Sequence, residues 1–94
     1  MALYAITYVY DTARPDDLDR VRPLHRAHLQ ALHEQGVNEA SGPWTDGAPG
    51  ALLLIRSDSP EGALDAVRDD PFWVEGLVIR RDVRGWDPVV GSLR

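Results

Sequence analysis

The sequence contains no cysteine and no lysine, and only 7% of its residues are aromatic. Without cysteine the chain has no disulfide, no thiolate nucleophile and no thiolate metal site. All ten basic residues are arginines, spread along the chain rather than clustered, and the formal net charge is −5. Because an acidic chain without a basic patch does not attract a phosphate backbone, we expect no nucleic-acid partner.

Long hydrophobic runs are also missing. No apolar segment approaches the roughly 20 residues that a membrane span requires. The start, MALYAITYVY, has no positive charge before its apolar residues and no small-residue cleavage site after them. We therefore expect no membrane partner and a cytoplasmic location. The 94 residues correspond to a single domain, residues 1–94.

Two segments have the composition of strands that are covered on both faces. In residues 3–10, rich in β-branched and aromatic side chains, both alternating sets are largely apolar. Residues 51–55 form a continuous apolar run of strand length. Residues 37–40 are a short strand candidate, and residues 77–86 predict a last strand whose charged residues mark a partly exposed edge.

The first predicted helix begins at Pro15, where two aspartates follow near the positive end of the helix dipole. A helical projection places its apolar residues on one face with His25 in the middle of them: Leu18, Val21, Leu29 and Leu32. Pro23 interrupts this pattern, so we expect either a kink or a new helix start there. Gly36 ends the helix.

The second predicted helix has Ser59 as its N-cap and Pro60 as its first residue. The resulting order, β-α-β-β-α-β, predicts a ferredoxin-like α+β fold with a four-stranded antiparallel sheet and two helices on one face. Since two helices cover only one face of the sheet, strands that are apolar on both faces need a second cover. A symmetric partner sheet is the simplest cover, and we predict a homodimer.

His25 is a polar residue at the centre of an apolar helix face. One interpretation is a core histidine with both ring nitrogens satisfied; the other is a positioned general acid or base. If the helix begins anew at Pro23, His25 lies in its first turn, where the helix dipole would favour the neutral, base-competent imidazole.

Asp70 stands where the second helix is broken, directly before Pro71, which disfavours helical backbone at the preceding residue. One interpretation is that its carboxylate caps a short helical turn. The other is that it orients an imidazole through one ring nitrogen, as in catalytic sites that pair a base with an orienting group. His25 and His28 have helical spacing, but no third ligand accompanies them, so we expect neither a metal nor another cofactor.

Four short motifs follow one another in the chain: Arg22-Pro23-x-His25, Leu32-His-x-x-Gly36, Gly42-Pro43, and Asp70-Pro71-Phe72 before Gly76. In this order and spacing, from the first strand to Pro88, the sequence resembles the YciI-like (YCII-related) family. The resemblance implies a ferredoxin-like fold with sheets paired in a dimer and kinship with the dimeric α/β-barrel proteins. It also implies cofactor-free chemistry on small cyclic or chlorinated aromatic compounds, such as dehydrochlorination.

The resemblance further implies a site built from His25 and Asp70, with Ser41 and Gly42 bordering the same cleft. The first functional hypothesis is a cofactor-independent lyase, isomerase or hydrolase for a small organic molecule, in which His25 moves a proton and Asp70 fixes its tautomer. The apolar walls are predicted to be Trp44, Tyr8 and Phe72. The alternative is a non-catalytic small-molecule-binding or assembly module of the same fold.

Overall fold

The computed structural model describes residues 1–93, and seven elements follow one another along them. They are β1 (Ala2–Tyr10), α1 (Pro15–Glu34), β2 (Asn38–Pro43), β3 (Gly50–Ser57), α2 (Pro60–Ala66), α3 (Pro71–Val74) and β4 (Val78–Trp86). The strands form one sheet in the order β2-β3-β1-β4, and every neighbouring pair is antiparallel. This is the predicted ferredoxin-like α+β arrangement. None of the helices formed by residues 1–93 is long and apolar enough to cross a membrane.

Helix α1 runs through Pro23 without ending, so of the two alternatives expected there, a kink or a new helix start, the new start is wrong. Proline inside a helix removes one backbone hydrogen bond, and the apolar face of α1 compensates because Val21 and Leu29 are buried on either side. His25 consequently lies in the middle of a 20-residue helix. The dipole acts within the terminal turns, so the argument that it favours a neutral His25 does not apply.

Strands β2 and β3 are longer than predicted. Strand β2 continues through Ser41, Gly42 and Pro43, beyond the predicted strand of residues 37–40, and β3 extends from Gly50 to Ser57. Strand β2 lies at the edge of the sheet, where proline is tolerated because its missing N–H faces no partner strand. The segment from Ser41 to Pro43 is thereby held in extended conformation against β3.

The second half of the helical layer contains two helices rather than one. Ser59 caps α2, as predicted: its Oγ accepts a hydrogen bond of 3.0 Å from the Gly62 N–H. The chain leaves helical geometry after α2 and begins the single turn α3 at Pro71, with Asp70 as N-cap. This break places the Asp70 side chain at the start of a new turn instead of inside a continuous helix.

The two faces of the sheet differ in their cover. On the helix side the central side chains are almost fully inaccessible, among them Ile6, Tyr8, Leu53 and Ile55. Because side chains alternate along a strand, the opposite face presents a second apolar set from β1 and β3, which we call the open face: Leu3, Ala5, Thr7, Val9, Leu52 and Leu54. Next to it, β4 contributes the charged residues Arg80, Asp82 and Arg84.

Candidate active site

His25 and Asp70 are in direct contact, although 45 positions separate them. The imidazole Nδ1 lies 2.8 Å from Asp70 Oδ1 and 3.0 Å from Oδ2. His25 comes from the middle of α1 and Asp70 from the N-cap of α3, and the packing of α3 against α1 brings them together. His25 is 6% exposed and Asp70 is fully buried.

Three donors surround the Asp70 carboxylate. Besides His25, the Phe72 backbone N–H donates to Oδ1 at 3.0 Å, and the Tyr8 hydroxyl donates to Oδ2 at 3.0 Å. A buried carboxylate is costly unless its oxygens accept hydrogen bonds, and here both oxygens do. The two interpretations of Asp70 are therefore not alternatives, since one side chain caps α3 and contacts the imidazole.

This arrangement selects one tautomer of His25. An ionised carboxylate only accepts hydrogen bonds, so the Nδ1 that contacts it is the protonated nitrogen. Burial, together with the negative charge of Asp70 and the hydrogen bond to it, raises the pKa of Tyr8 far above its ordinary value. Tyr8 therefore stays protonated and remains a donor. The lone pair on Nε2, the nitrogen that Asp70 leaves free, is then available to accept a proton.

Aromatic rings fix the orientation of the imidazole. The Phe72 ring stacks on His25 with 4.1 Å between centroids and 13° between planes. Tyr10 meets the same Phe72 ring edge-on at 5.1 Å. Phe72 thus contacts both members of the His25–Asp70 pair, which we call the dyad: its ring stacks on His25, and its backbone N–H donates a hydrogen bond to Asp70.

His25 lies on the wall of a cavity of about 820 Å³ between α1, β2 and the β2–β3 loop. This volume is in the range of pockets for small molecules. Of the side chains predicted to form the site, the cavity lining includes His25, Ser41, Gly42, Trp44 and Phe72. Ser41 is held in place because its Oγ accepts a hydrogen bond of 2.9 Å from Asn38 Nδ2.

Tyr8 is the predicted wall residue that lies elsewhere. It is 1% exposed and is not part of the cavity lining. Its position on β1 places it behind Asp70, so its hydroxyl supports the carboxylate instead of contacting a ligand. The physical reason is the position of Asp70, whose carboxylate accepts the Tyr8 hydrogen bond inside the core, whereas Tyr10, two residues further along the same strand face, reaches the cavity.

Sequence analysis missed many residues of the lining, among them Tyr10, Arg26 and Asn38. The sequence could have indicated Tyr10 and Arg26, because Tyr10 shares a strand face with Tyr8 and Arg26 adjoins His25. No feature of the sequence pointed to Asn38. Its side chain is 3% exposed and joins β2 to α1 by a hydrogen bond of 3.1 Å to the Leu29 carbonyl.

His28 does not line the cavity, although it is only three residues from His25. Within residues 1–93 no group of three histidine, aspartate or glutamate side chains is arranged to hold a metal ion. Besides the oriented imidazole of His25, the cavity wall carries a second imidazole, hydroxyls, guanidinium groups and carboxylates, the last from Asp19, Glu39 and Asp46.

Comparison with known proteins places these residues in a family context. The family model described as the YCII-related domain matches residues 2–87. No curated protein sequence matches the chain. Among solved structures, the fold is similar to that of 5-chloro-2-hydroxyhydroquinone dehydrochlorinase (TftG) from Burkholderia phenoliruptrix AC1100, solved in complex with 2,5-dihydroxybenzoquinone. The TM-score is 0.76 at 20% identity, covering 90% of this chain and 93% of that chain.

A second similar structure is that of Rv0793 from Mycobacterium tuberculosis, with a TM-score of 0.56 at 20% identity and full coverage of both chains. At this level of identity both likenesses concern the fold alone. The family match spans nearly the whole chain and includes both His25 and Asp70.

Proposed function

We propose that this chain, which belongs to the family of YCII-related domains, is a cofactor-independent enzyme of the lyase, isomerase or hydrolase type that acts on a small organic molecule. The observation that supports the proposal is the 2.8 Å contact between His25 Nδ1 and Asp70, made by an imidazole on a cavity wall. An oriented imidazole with a free nitrogen is the commonest general base in enzymes.

In the proposed reaction, His25 Nε2 removes a proton from the substrate, while Asp70 holds Nδ1–H and stabilises the imidazolium that forms. For the dehydrochlorination of a chlorinated hydroquinone in its keto form, in which the carbon that bears chlorine is sp³, the proton comes from a ring hydroxyl. The O–H electron pair forms a C=O bond, the ring double bond shifts toward the carbon that bears chlorine, and the C–Cl bond breaks with its pair on chloride. The proton stays on His25 and returns to water after chloride leaves. The name of the similar dehydrochlorinase supports this reaction as the first to test.

The test compares His25→Gln and Asp70→Asn with the parent chain, with 5-chloro-2-hydroxyhydroquinone as the first substrate and chloride release as the measurement. We expect His25→Gln to lower kcat by about 10²- to 10⁴-fold, because positioned general bases contribute that much. Asp70→Asn should have a comparable effect, since an amide N–H directed at Nδ1 selects the wrong tautomer. His28→Gln, on the same helix but outside the cavity lining, is the matched control and should retain the parent rate.

The second candidate is a non-catalytic binding module. The hydrogen bond from the Phe72 N–H to Asp70 favours it, because this cap stabilises α3 whether or not His25 reacts. Under this alternative, ligands raise the midpoint of thermal unfolding equally in the parent and in Asp70→Asn, and no chloride is released. A His25→Gln variant that folds and retains the parent rate would contradict the proposed role of His25 as the general base.

We also infer that two copies pair through the open face to form a homodimer. The side chains of the open face are largely apolar, and one of them, Val9, remains 37% exposed in the single chain. A sheet with helices on one side gains burial when a second sheet covers the other. The chain itself supplies a complementary surface, because a two-fold axis places each open face against its own copy.

A further inference from the structure

The Tyr10 hydroxyl is a polar group at the cavity that the proposed mechanism does not use. The Tyr10 ring is largely buried, with 6% of the residue exposed, but its hydroxyl oxygen is accessible from the cavity and forms no hydrogen bond to any of residues 1–93. A hydroxyl that no protein group engages keeps both its donor and its acceptor capacity for a molecule that enters the cavity. Since Tyr10 lines the cavity, the partner that suits this hydroxyl is a bound molecule.

Tyr10 belongs to the same part of the cavity as the imidazole. His25 and Tyr10 both contact the Phe72 ring, at centroid distances of 4.1 and 5.1 Å. Both residues also line the same cavity, so one small molecule bound there can contact the imidazole and the phenol. The two groups differ in function: the nitrogen accepts a proton, and the phenol donates a hydrogen bond.

The charges around the Tyr10 hydroxyl are those of Asp70, Arg22 and Arg26. Asp70 is satisfied by its three donors, and Arg22 pairs with Asp19 at 2.6 Å. Arg26 lines the cavity and forms no ion pair within the described part of the chain. It is thus the uncompensated positive charge next to the dyad.

Two other charged residues of the lining lie on β2 and its following loop. Glu39 pairs with Arg56 at 2.9 Å, and Asp46 is not among the charges that act on Tyr10. The part of the cavity near the dyad therefore combines a hydrogen-bond donor and a cation.

We propose that Tyr10 and Arg26 form an oxyanion-binding site, and that the substrate is a small organic molecule with an ionised oxygen, such as a phenolate or a carboxylate. The Tyr10 hydroxyl donates a hydrogen bond to this oxygen, the Arg26 guanidinium neutralises its charge, and the bond holds the molecule with its acidic proton toward His25 Nε2. This assignment rests on the proposed function, because it names the substrate class of the same site.

The protonation state of Tyr10 suits this function. Burial, with the negative charge of Asp70, raises the pKa of Tyr10 to about 12, against the opposing effect of Arg22 and Arg26. The phenol is therefore a donor throughout the neutral range. Donors already fixed in place stabilise an oxyanion without the cost of reorganising water.

The experiment measures dissociation constants by titration calorimetry with three probes. The first is 2,5-dihydroxybenzoquinone, which carries ring oxyanions; the second is benzoate; the third is 2,5-dimethoxybenzoquinone, which cannot ionise. We expect the parent chain to bind one or both anions more tightly than the dimethoxy compound. Binding of the first probe alone assigns the site to phenolate-like oxygens, and binding of benzoate alone assigns it to carboxylates.

Tyr10→Phe removes only the hydroxyl and should weaken anion binding by about tenfold or more, as expected for a hydrogen bond to a charged group. Tyr4→Phe, on the same strand face but outside the cavity lining, is its control and should bind as the parent does. Arg26→Gln should weaken binding several-fold and reduce its salt dependence. Arg20→Gln, exposed on the same helix, is the corresponding control.

Two results would overturn the oxyanion site: anion binding unchanged in both Tyr10→Phe and Arg26→Gln, or equal binding of the ionised and methylated quinones. Arg26 is exposed, so its variant tests the site even if Tyr10→Phe folds poorly. Because binding is measured without turnover, the two proposals fail separately. If anion binding depends on Tyr10 but no reaction occurs, only the proposed enzyme activity is contradicted. If turnover depends on His25 but is unchanged in Tyr10→Phe and Arg26→Gln, only the proposed oxyanion site is contradicted.

Discussion

The two faces of the sheet show how one strand serves two purposes. Ile6 is fully buried on the helix side, while its neighbour Thr7 points to the open face and is only partly covered. The hydrophobic core cluster, the dyad and the cavity all belong to the helix side. The open face holds apolar residues in β1 and β3 beside a charged β4. We therefore expect folding and the proposed chemistry to depend on one face, and the proposed homodimer to depend on the other.

The largest expected effect comes from the helix side. Ile6→Ala should lower the free energy of unfolding by about 2–5 kcal/mol, because it leaves a cavity where Ile6 is fully buried. Urea unfolding measures the loss, which should be the same at low and high protein concentration. Val9→Ala, on the open face of the same strand, is the matched variant and should cost less than about 1.5 kcal/mol. Equal losses for the two variants would remove the distinction between the faces.

The second prediction uses the tyrosines, all three of which lie on the helix side of β1. The pKa of Tyr10 is raised to about 12 and that of Tyr8 further still, mainly by burial. The unfolded chain loses these protons at about pH 10, so above that pH the native state binds more protons than the unfolded state. Stability should therefore be fully present below pH 10 and fall as the pH rises toward 12.

The expected loss for Tyr10 alone is on the order of 1–3 kcal/mol, measured by denaturant unfolding at several pH values. Tyr10→Phe should flatten this dependence because phenylalanine does not titrate. A Tyr10→Phe variant with the parent's alkaline slope would show that Tyr10 ionises normally in the folded chain.

The smallest effect on the folding of one chain is expected on the open face. Leu52→Arg places a charge between Thr7 and Gly42, its partners across the sheet. We expect this variant to be monomeric by light scattering, with an unfolding midpoint that no longer depends on protein concentration. Leu24→Arg, a matched change on the exposed surface of α1, should remain dimeric. If the parent chain is itself a monomer, or if Leu52→Arg stays dimeric, the inferred homodimer is wrong.

Much of the helix side could be predicted from the sequence because its determinants are local. Apolar segments of strand length identified β1 and β3, and the Ser59-Pro60 pair marked the start of α2. The end of β2 could not be found in this way, because Ser41 and Pro43 are residues typical of turns. Their extended conformation comes from pairing with β3, a partner that is distant in sequence.

The site was predictable only in part for a similar reason. His25 and Asp70 were each identified as local exceptions, but the residues alone left both interpretations open, and the family resemblance paired them. Whether Tyr8 or Tyr10 contacts the cavity depends on where α3 lies on the sheet. That position is set by tertiary packing of Phe72, and the sequence pattern of β1 is the same in either case.

The N-terminal capping of α3 has a consequence for how the molecule moves. One carboxylate holds both the imidazole and the first turn of α3, so the dyad cannot separate through movement of Asp70 while the turn remains capped. The amide hydrogen of Phe72 is bonded to that same carboxylate, and it exchanges with solvent only when the bond opens. Its exchange rate therefore gives the fraction of time that the carboxylate is displaced, which makes a single backbone amide a readout of whether the acid–base pair is assembled.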